Sequence, residues 1–161
     1  MDLGLKDKVA IITGGSEGIG KAAAQRMAEE GARVVIVARR PEVLKAAAEE
    51  IQKATKGTVL PVQGDVADPA TITRVVQTTL DNFGRIDILV NNAGVSMAKP
   101  FEAVSDDDWE SDFSLKVWGA VRFIRAVIPE MRKVGGGRII NVTNLGGRTP
   151  GPSSMPTSIS R

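Results

Sequence analysis

The chain has 161 residues, of which 42% are apolar and 25% are charged, and this is enough for one globular domain with a sizeable core. Its net charge of +2 is too small to predict binding to nucleic acid or to an acidic membrane. The sequence contains no histidine, cysteine or tyrosine. Disulfides and thiolate metal sites are therefore excluded, no metal site is expected, and any acid–base group has to be Lys, Asp, Glu or a relay through other groups.

The N-terminal stretch MDLGLKDKVAIITGG has no basic segment followed by a long apolar run, and nothing in the chain approaches the ~18 apolar residues of a membrane span. We therefore expect a cytoplasmic protein that does not bind membranes. Neither repeats nor low-complexity tracts divide the chain, so residues 1–161 are predicted to form a single domain.

Short apolar runs rich in β-branched residues alternate with longer stretches of helical period, which is the pattern of a parallel sheet wound with helices. The predicted strands are Lys8–Thr13, Arg33–Ala38, Thr58–Gln63, Ile86–Val90 and Arg138–Val142. The first three predicted helices are Gly18–Glu30, Pro41 to about Ala54, and a helix that begins at Asp68 and Pro69 and is closed by Gly84. Pro61 places the third strand at a sheet edge, where a missing backbone donor is tolerated.

A long fourth helix is predicted to begin at the N-cap Ser105 and to end at the glycine triplet 135–137. Asp106, Asp107 and Asp108 would interact favourably with its dipole. Its predicted apolar stripe consists of Trp109, Phe113, Val117, Val121, Ile124 and Ile128. We expect Trp109 and Trp118 to pack in the core rather than to form a substrate platform. After Val142 the pattern fades into a turn-rich loop, so the sheet is expected to be truncated after its fifth strand.

A glycine-rich stretch, TGGSEGIG (residues 13–20), joins the first predicted strand to the first predicted helix. Glycines at such a junction let backbone amides approach an anion at the positive end of the helix. The same glycines are also compatible with a tight turn and close helix packing alone. The position at the carboxyl end of a parallel strand favours a phosphate site, because ligands of such folds bind there.

The residues after the second predicted strand indicate which dinucleotide would bind. Dinucleotide enzymes carry an acidic residue there that holds the adenosine ribose, whereas this chain has Ala38 followed by Arg39 and Arg40. A guanidinium pairs with a 2′-phosphate that a carboxylate would repel, so the sequence favours NADP over NAD. Two observations weigh against this preference: the arginines are also compatible with ordinary solvated charge, and Glu17 would bring a negative charge near the same phosphate.

The chain resembles the short-chain dehydrogenase/reductase family over its whole length. Three motifs occur in the family's order, TGGSEGIG at 13–20, GDVAD at 64–68 and NNAG at 91–94. The resemblance implies a doubly wound, Rossmann-type α/β fold with a nicotinamide dinucleotide bound at these motifs. Asn91 and Asn92 are equally compatible with a structural role at a strand end. Together with Glu17, Arg39 and Arg40, the predicted cofactor residues are Gly14, Ser16, Gly18, Ile19, Asp65, Val66, Asn91, Ala93 and Gly94.

The resemblance also implies hydride transfer between the nicotinamide and a carbonyl or alcohol, with an Asn, a Ser, a Tyr and a Lys at the catalytic positions. These positions hold Lys116, Asn144, Thr157 and Arg161 in this chain, so all four are changed. Asn144 can still hydrogen-bond a carbonyl oxygen, and Arg161 a ribose hydroxyl. Proton transfer is harder to replace, because a Thr hydroxyl is a much weaker acid than a phenol. Lys116 is compatible with a buried catalytic acid and with a solvated or snorkelling side chain.

Two functional hypotheses follow. The first is an NADP(H)-dependent oxidoreductase that acts on a small carbonyl compound or secondary alcohol with a remodelled tetrad. The second is a non-catalytic NADP-binding module or partner subunit. Family members continue beyond this segment with a helix, further strands and a substrate lid. The resemblance therefore also implies that the domain is incomplete at its C-terminus, and that the full chain would form a homo-oligomer.

Overall fold

The apolar runs form a parallel sheet in the computed structural model, which describes residues 2–151 and 153–160. The strands are β1 (Val9–Thr13), β2 (Arg33–Ala38), β3 (Val59–Gln63), β4 (Ile88–Asn91), β5 (Ala98–Lys99), β6 (Arg138–Asn141) and β7 (Met155–Pro156). The five-stranded sheet has the order β3-β2-β1-β4-β6, and every neighbouring pair in it is parallel. The doubly wound α/β fold predicted from the sequence is confirmed.

Six helices surround the strands in the described residues. They are α1 (Gly18–Glu29), α2 (Pro41–Thr55), α3 (Pro69–Phe83), α4 (Asp106–Phe113), α5 (Gly119–Lys133) and α6 (Thr157–Ser160). A π-helical turn, Ser114–Trp118, joins α4 to α5 without a break. The first three helices end within about one residue of their predicted bounds. No helix in residues 2–151 or 153–160 is long and apolar enough to cross a membrane.

The strand side chains alternate between two apolar layers. Ile12 and Ile36 point into the layer covered by α1 and α2, whereas Ile11 and Val35 point into the layer covered by α3 and α5. All four are fully buried, and burying each such side chain contributes about 1.5–3 kcal/mol. The central strands β1, β2 and β4 are buried on both faces, which explains why they read as continuous apolar runs rather than as alternating patterns.

Pro61 lies in β3, the edge strand, and is exposed. Since β3 pairs with β2 alone, the backbone donor that Pro61 lacks is not needed by a second neighbour. The prediction that the third strand lies at the edge is confirmed.

A buried carboxylate, Asp87, ties the start of β4 to the start of β1. It accepts hydrogen bonds from Arg85 Nη2 at 2.6 Å, from the Val9 backbone N–H at 3.0 Å and from Lys8 Nζ at 3.4 Å. Burial works to raise the pKa of this carboxyl, but the hydrogen bonds from Arg85 and Val9 and the nearby positive charges outweigh it. The pKa of Asp87 is therefore below its ordinary value, and the ionised form stabilises the fold.

Helix α4 begins as the sequence predicted. Ser105 is its N-cap: the Ser105 Oγ accepts from the Asp108 backbone N–H at 3.2 Å, and the Asp108 carboxylate accepts from the Ser105 N–H at 3.0 Å. This reciprocal pair is a capping box, which satisfies two otherwise unpaired backbone donors. Gly135 and Gly136 follow the end of α5 with φ of +86° and +124°, so the predicted stop at the glycine triplet is also confirmed.

The prediction that the apolar stripe of this helix forms its buried face is wrong. All six predicted residues are only half-buried. The fully buried face consists instead of Asp112, Lys116, Gly119, Phe123, Val127 and Met131. Two polar residues at its start interrupt the apolar period, and the π-helical turn shifts the register of α5 relative to α4.

The two tryptophans also differ from the expectation of core packing. Trp118 has 49% of its surface exposed, and Phe101 has 66% of its surface exposed. Trp109 packs edge-on against Phe101, with ring centroids 6.5 Å apart, and against Phe113 at 6.1 Å. The rings of Phe101, Trp109 and Phe113 therefore form a cluster at the surface rather than part of the core.

The segment predicted as a loop after Val142 contains further structure. β7 pairs with β5 in an antiparallel ladder, in which Ala98 lies opposite Pro156. α6 begins directly after β7. This arrangement brings Thr157 next to Lys116, which lies 41 positions earlier in the chain.

Candidate functional site

A cavity of about 430 Å³ lies at the carboxyl edge of the sheet. The loops that follow β1, β2, β3 and β4 surround it, as expected for the ligand-binding edge of a doubly wound sheet. Every predicted cofactor residue except Asn91 lines it: Gly14, Ser16, Glu17, Gly18, Ile19, Arg39, Arg40, Asp65, Val66, Ala93 and Gly94.

The glycines of the TGGSEGIG stretch have two different roles. A Cβ at Gly14 would lie 2.9 Å from the Ala93 Cα, and one at Gly20 would overlap the Gly14 carbonyl. These two glycines are required for close packing, as the structural interpretation of the motif holds. Gly18 has a φ of +54° and an added Cβ would meet no atom within 4 Å. Its missing side chain leaves open space at the cavity, which Gly18 lines.

The NNAG segment is bonded directly to the glycine-rich turn. Thr13 Oγ1 accepts from the backbone N–H groups of Asn92 and Ala93, each at 3.0 Å. The Asn92 side-chain amide donates to the carbonyls of Thr13 at 3.0 Å and of Gly14 at 3.2 Å. The structural role left open for Asn92 is therefore confirmed. The Asn92 side chain holds the loop after β4 against the loop after β1, and both loops line the cavity.

The first turn of α1 faces the cavity without a side-chain cap. Glu17 is the N-cap residue, and its side chain makes no cap hydrogen bond. Backbone N–H groups at a helix N-terminus carry a partial positive charge and bind anions when no side chain satisfies them. Ser16, which is buried, and Ile19 flank this turn on the cavity wall.

Four charged side chains lie at the mouth of this cavity. Arg40 Nη2 forms an ion pair with Glu17 Oε2, and Arg39 Nη1 lies 3.9 Å from Asp65 Oδ2. The four side chains are 42–65% exposed, so solvent screens both pairs and neither contributes much to stability. Such pairs can exchange their carboxylate partners for a bound phosphate.

A second cavity, of about 260 Å³, adjoins the first and shares Val66, Ala93 and Leu115 with it. Asn91 lies on this second cavity and not on the first. Its amide Nδ2 donates to Asn141 Oδ1 at 2.9 Å, whereas its buried Oδ1 has no hydrogen-bond partner among the described residues. Asn91 thus joins the ends of β4 and β6 through side chains, instead of satisfying backbone groups as the structural interpretation proposed.

Lys116 belongs to a buried polar group of four residues, Asp112, Lys116, Thr157 and Ser160, which we call the Lys116 cluster. Lys116 Nζ forms an ion pair with Asp112 Oδ1 at 2.5 Å and donates to Thr157 Oγ1 at 2.9 Å. Ser160 Oγ donates to the other oxygen of Asp112. The side chains of the ion pair are 1% and 0% exposed, so the solvated interpretation of Lys116 is wrong.

Thr157 is held from two sides. Its Oγ1 accepts from Lys116 Nζ at 2.9 Å and from the Met97 backbone N–H at 3.0 Å. Both acceptor positions of the hydroxyl oxygen are thereby used. Within the Thr157 side chain, the hydroxyl proton is left for a further hydrogen bond.

Asn144, at another tetrad-equivalent position, lies outside the Lys116 cluster. Asn144 is exposed, and its Oδ1 accepts from the Gly147 backbone N–H at 3.2 Å, which caps the 3₁₀ turn Leu145–Gly147. Arg161 lies outside the described residues. The structure therefore brings Lys116 and Thr157 into contact and engages Asn144 in a local turn.

Asp112 and Ser160 were not among the residues predicted for the site. The signal for Asp112 was its spacing: an acid four residues before Lys116 lies on the same helix face. Ser160 follows Thr157 by three residues and carried no signal of its own. No group of three or more His, Cys, Asp or Glu in residues 2–151 and 153–160 could hold a metal ion.

Comparison with known proteins identifies the fold and its motifs. The family model described as short chain dehydrogenase matches residues 8–158. The uncharacterized oxidoreductase YvrD of Bacillus subtilis is 37% identical over 161 residues, which cover 100% of this chain and 60% of that protein. The uncharacterized oxidoreductase Mb1570 of Mycobacterium bovis is 40% identical over 152 residues, which cover 92% of this chain and 45% of that protein.

Solved structures superpose closely on the chain. L-Sorbose reductase from Gluconobacter frateurii, crystallised with NADPH and L-sorbose, has a TM-score of 0.96 and 39% identity, over 99% of this chain and 61% of that one. NAD+-bound xylitol dehydrogenase has a TM-score of 0.91 and 28% identity, over 97% of this chain and 60% of that one. The chain thus spans about 60% of the length of YvrD and of these two structures.

Proposed function

Because the chain belongs to the short-chain dehydrogenase family, we propose that it binds NADP(H) and that the protein transfers hydride between NADP(H) and a carbonyl compound or secondary alcohol. The observation that carries the proposal is the first cavity, in which the uncapped turn of α1 and the open space at Gly18 face Arg39 and Arg40. When bound, the nicotinamide supplies or accepts the hydride.

The residues of the cavity fit the dinucleotide in three parts. Gly14, Ser16, Gly18 and Ile19 would bind the pyrophosphate and its ribose through the backbone amides of the α1 turn. Glu17 stands among these residues, at the mouth where the adenosine ribose would lie. Arg39 and Arg40 would bind the 2′-phosphate, and Asp65 and Val66 would flank the adenine. Asn91, Ala93 and Gly94 would lie beneath the cofactor.

The preference for NADP over NAD is part of the proposal. A 2′-phosphate is a dianion that two guanidinium groups bind by charge-assisted hydrogen bonds. NADPH is the dinucleotide in the L-sorbose reductase structure, whereas xylitol dehydrogenase was solved with NAD+. The two arginines after β2 therefore carry the preference, rather than the likeness to either structure.

Carbonyl reduction also requires a proton at the substrate oxygen, and Thr157 is the group we propose to donate to it. The hydroxyl oxygen already accepts from Lys116 and from the Met97 N–H, so its own proton is available to a further acceptor, and Lys116 and Ser160 of the same cluster line the second cavity. Lys116, which donates to the same oxygen, would polarise this hydroxyl and pass it a proton as its own proton leaves, so that no Thr alkoxide remains. In this proposal Asn144 and Arg161 hold the substrate oxygen and the nicotinamide ribose, in line with their places in the tetrad.

A second candidate function is a non-catalytic NADP-binding module. The observation that favours it is the ion pair between Lys116 and Asp112. A lysine that shares its charge with a buried carboxylate serves as a structural partner as readily as a proton donor. In this case NADPH binds and no carbonyl substrate is turned over.

Two measurements separate these functions. NADPH and NADH titrations of the wild type and of Arg39→Ala test the cofactor: the substitution should weaken NADPH binding about fivefold or more and NADH binding less than twofold. Arg26→Ala, which removes an exposed guanidinium at the other end of α1, should leave both unchanged. Equal losses for the two cofactors in Arg39→Ala would contradict the assigned preference.

The second measurement is NADPH oxidation with a broad panel of ketones, aldehydes and quinones. Turnover that falls at least tenfold in Thr157→Val supports the oxidoreductase. Tight NADPH binding without turnover on any member of the panel supports the binding module. Location in the cytoplasm and assembly into a homo-oligomer are proposals that rest on the sequence alone.

A further inference from the structure

We propose that Glu17 limits the preference for NADP, because it occupies Arg40 with an ion pair that the 2′-phosphate must break. This inference rests on the proposed binding of NADP(H), and it assigns a specificity-determining role to a carboxylate that stands inside the phosphate-binding turn.

The position of Glu17 makes it an unusual member of this turn. It is the N-cap residue of α1, yet its carboxylate reaches away from the helix and pairs with the guanidinium of Arg40. Arg40 is in turn the N-cap residue of α2. The ion pair therefore bridges the N-termini of two helices across the mouth of the first cavity, which both side chains line.

The charges at this mouth cancel before any ligand binds. Arg40 is paired with Glu17, and Arg39 lies 3.9 Å from Asp65. The second contact is too long for a hydrogen bond, and the Asp65 carboxylate already accepts from the Ala67 backbone N–H at 3.0 Å. Arg39 is therefore the readily available phosphate ligand, and Arg40 becomes one only after it leaves Glu17.

Glu17 acts on a bound 2′-phosphate in two ways. It competes for Arg40, and its own negative charge repels the phosphate at close range. Both effects concern NADP alone, since the 2′-hydroxyl of NAD carries no charge and can donate a hydrogen bond to a carboxylate or accept one from a guanidinium. The pyrophosphate is common to both dinucleotides, so removing this charge should tighten the binding of NADP more than that of NAD.

The test is the substitution Glu17→Gln, which removes the charge and keeps the size of the side chain. NADPH and NADH binding are followed by nicotinamide fluorescence or calorimetry at low ionic strength. We expect Glu17→Gln to tighten NADPH binding about five- to tenfold and NADH binding less than twofold, the larger figure corresponding to about 1.4 kcal/mol. The gain should shrink as salt is added, because both charges are exposed.

The chain offers a matched control in Glu50. Its side chain is 66% exposed, against 65% for Glu17, and it pairs at 2.6 Å with Lys21 of α1, outside the cavity. Glu50→Gln removes the same charge from a position on α2 outside the cavity and should change neither affinity by more than twofold. An equal gain in Glu50→Gln and Glu17→Gln would overturn the proposal, because net charge alone would then explain it.

A second pair of variants tests the route through Arg40. If Glu17 acts by holding Arg40, the gain from Glu17→Gln should fall to about twofold or less in an Arg40→Gln background. Adenosine 2′,5′-bisphosphate, compared with AMP, isolates the phosphate contribution without the nicotinamide. It should show the same gain as NADPH in Glu17→Gln.

The possible failures are distinguishable. If the wild type binds NADPH and Glu17→Gln leaves that affinity unchanged, weakens it, or tightens NADH equally, the role of Glu17 is overturned and the proposed function stands. If neither the wild type nor Glu17→Gln binds NADPH or adenosine 2′,5′-bisphosphate, both the role of Glu17 and the proposed function are overturned.

Discussion

Removing Lys116 should destabilise the protein strongly. Its ion pair with Asp112 is fully buried, at 1% and 0% exposure and 2.5 Å. Lys116→Met would leave the Asp112 carboxylate buried with the Ser160 hydroxyl as its remaining hydrogen-bond donor, and breaking such a buried pair costs about 3–5 kcal/mol. At about 2–4 °C per kcal/mol for a chain of this size, the melting temperature should fall by about 6–20 °C. The expected loss of about 3–5 kcal/mol is a large share of the ~5–15 kcal/mol that stabilises an ordinary domain.

Urea unfolding, followed by tryptophan fluorescence and far-UV circular dichroism, measures the loss. The double variant Asp112→Leu/Lys116→Met removes both charges and should recover most of it, because apolar residues of similar volume replace a buried pair at little cost. Lys133→Met, at an exposed pair with Glu130 on α5, should change stability by less than about 0.5 kcal/mol. A loss below about 1 kcal/mol in Lys116→Met, or no recovery in the double variant, would refute the reasoning.

Three further predictions concern other parts of the fold. Gly18→Ala and Gly4→Ala both place a side chain at positive φ with no atom within 4 Å, so each should cost about 1–2 kcal/mol, but only Gly18→Ala should also weaken NADPH binding in a fluorescence titration; equal binding by the two variants would contradict the cavity assignment. Asp87→Asn should cost about 1.5–3 kcal/mol in urea unfolding. Since the native pKa of Asp87 is lowered, its contribution is present above about pH 4 and is lost as the pH falls through the native value, so the variant should show a flatter dependence on pH in that range, and parallel profiles would contradict the assignment. Ser105→Ala should lower stability by about 1 kcal/mol through the lost cap of α4, and an unchanged urea midpoint would contradict it.

The sheet was largely predictable from the sequence. Its central strands are buried on both faces, so they appear as unbroken apolar runs such as Arg33–Ala38, and the position of β3 followed from Pro61. The cofactor cavity was predictable for a related reason. Its residues lie in loops at the carboxyl ends of successive strands, and parallel strands bring those ends to one edge.

The Lys116 cluster was not predictable from periodicity. A pattern rule counts Asp112 and Lys116 as exposed, but each neutralises the other inside the core, and the π-helical turn between α4 and α5 then moves the apolar stripe. The pairing of β5 with β7 was missed because each strand is two residues long. The exposure of Trp118 was missed because a tryptophan on an apolar helix is expected to face the core.

A side-by-side titration of the protein with NADPH and NADH tests the central claim most directly. The account predicts that NADPH binds with one molecule per chain and more tightly than NADH, and that its advantage narrows as salt screens Arg39 and Arg40. Tighter binding of NADH, or the absence of binding by either dinucleotide, would contradict it.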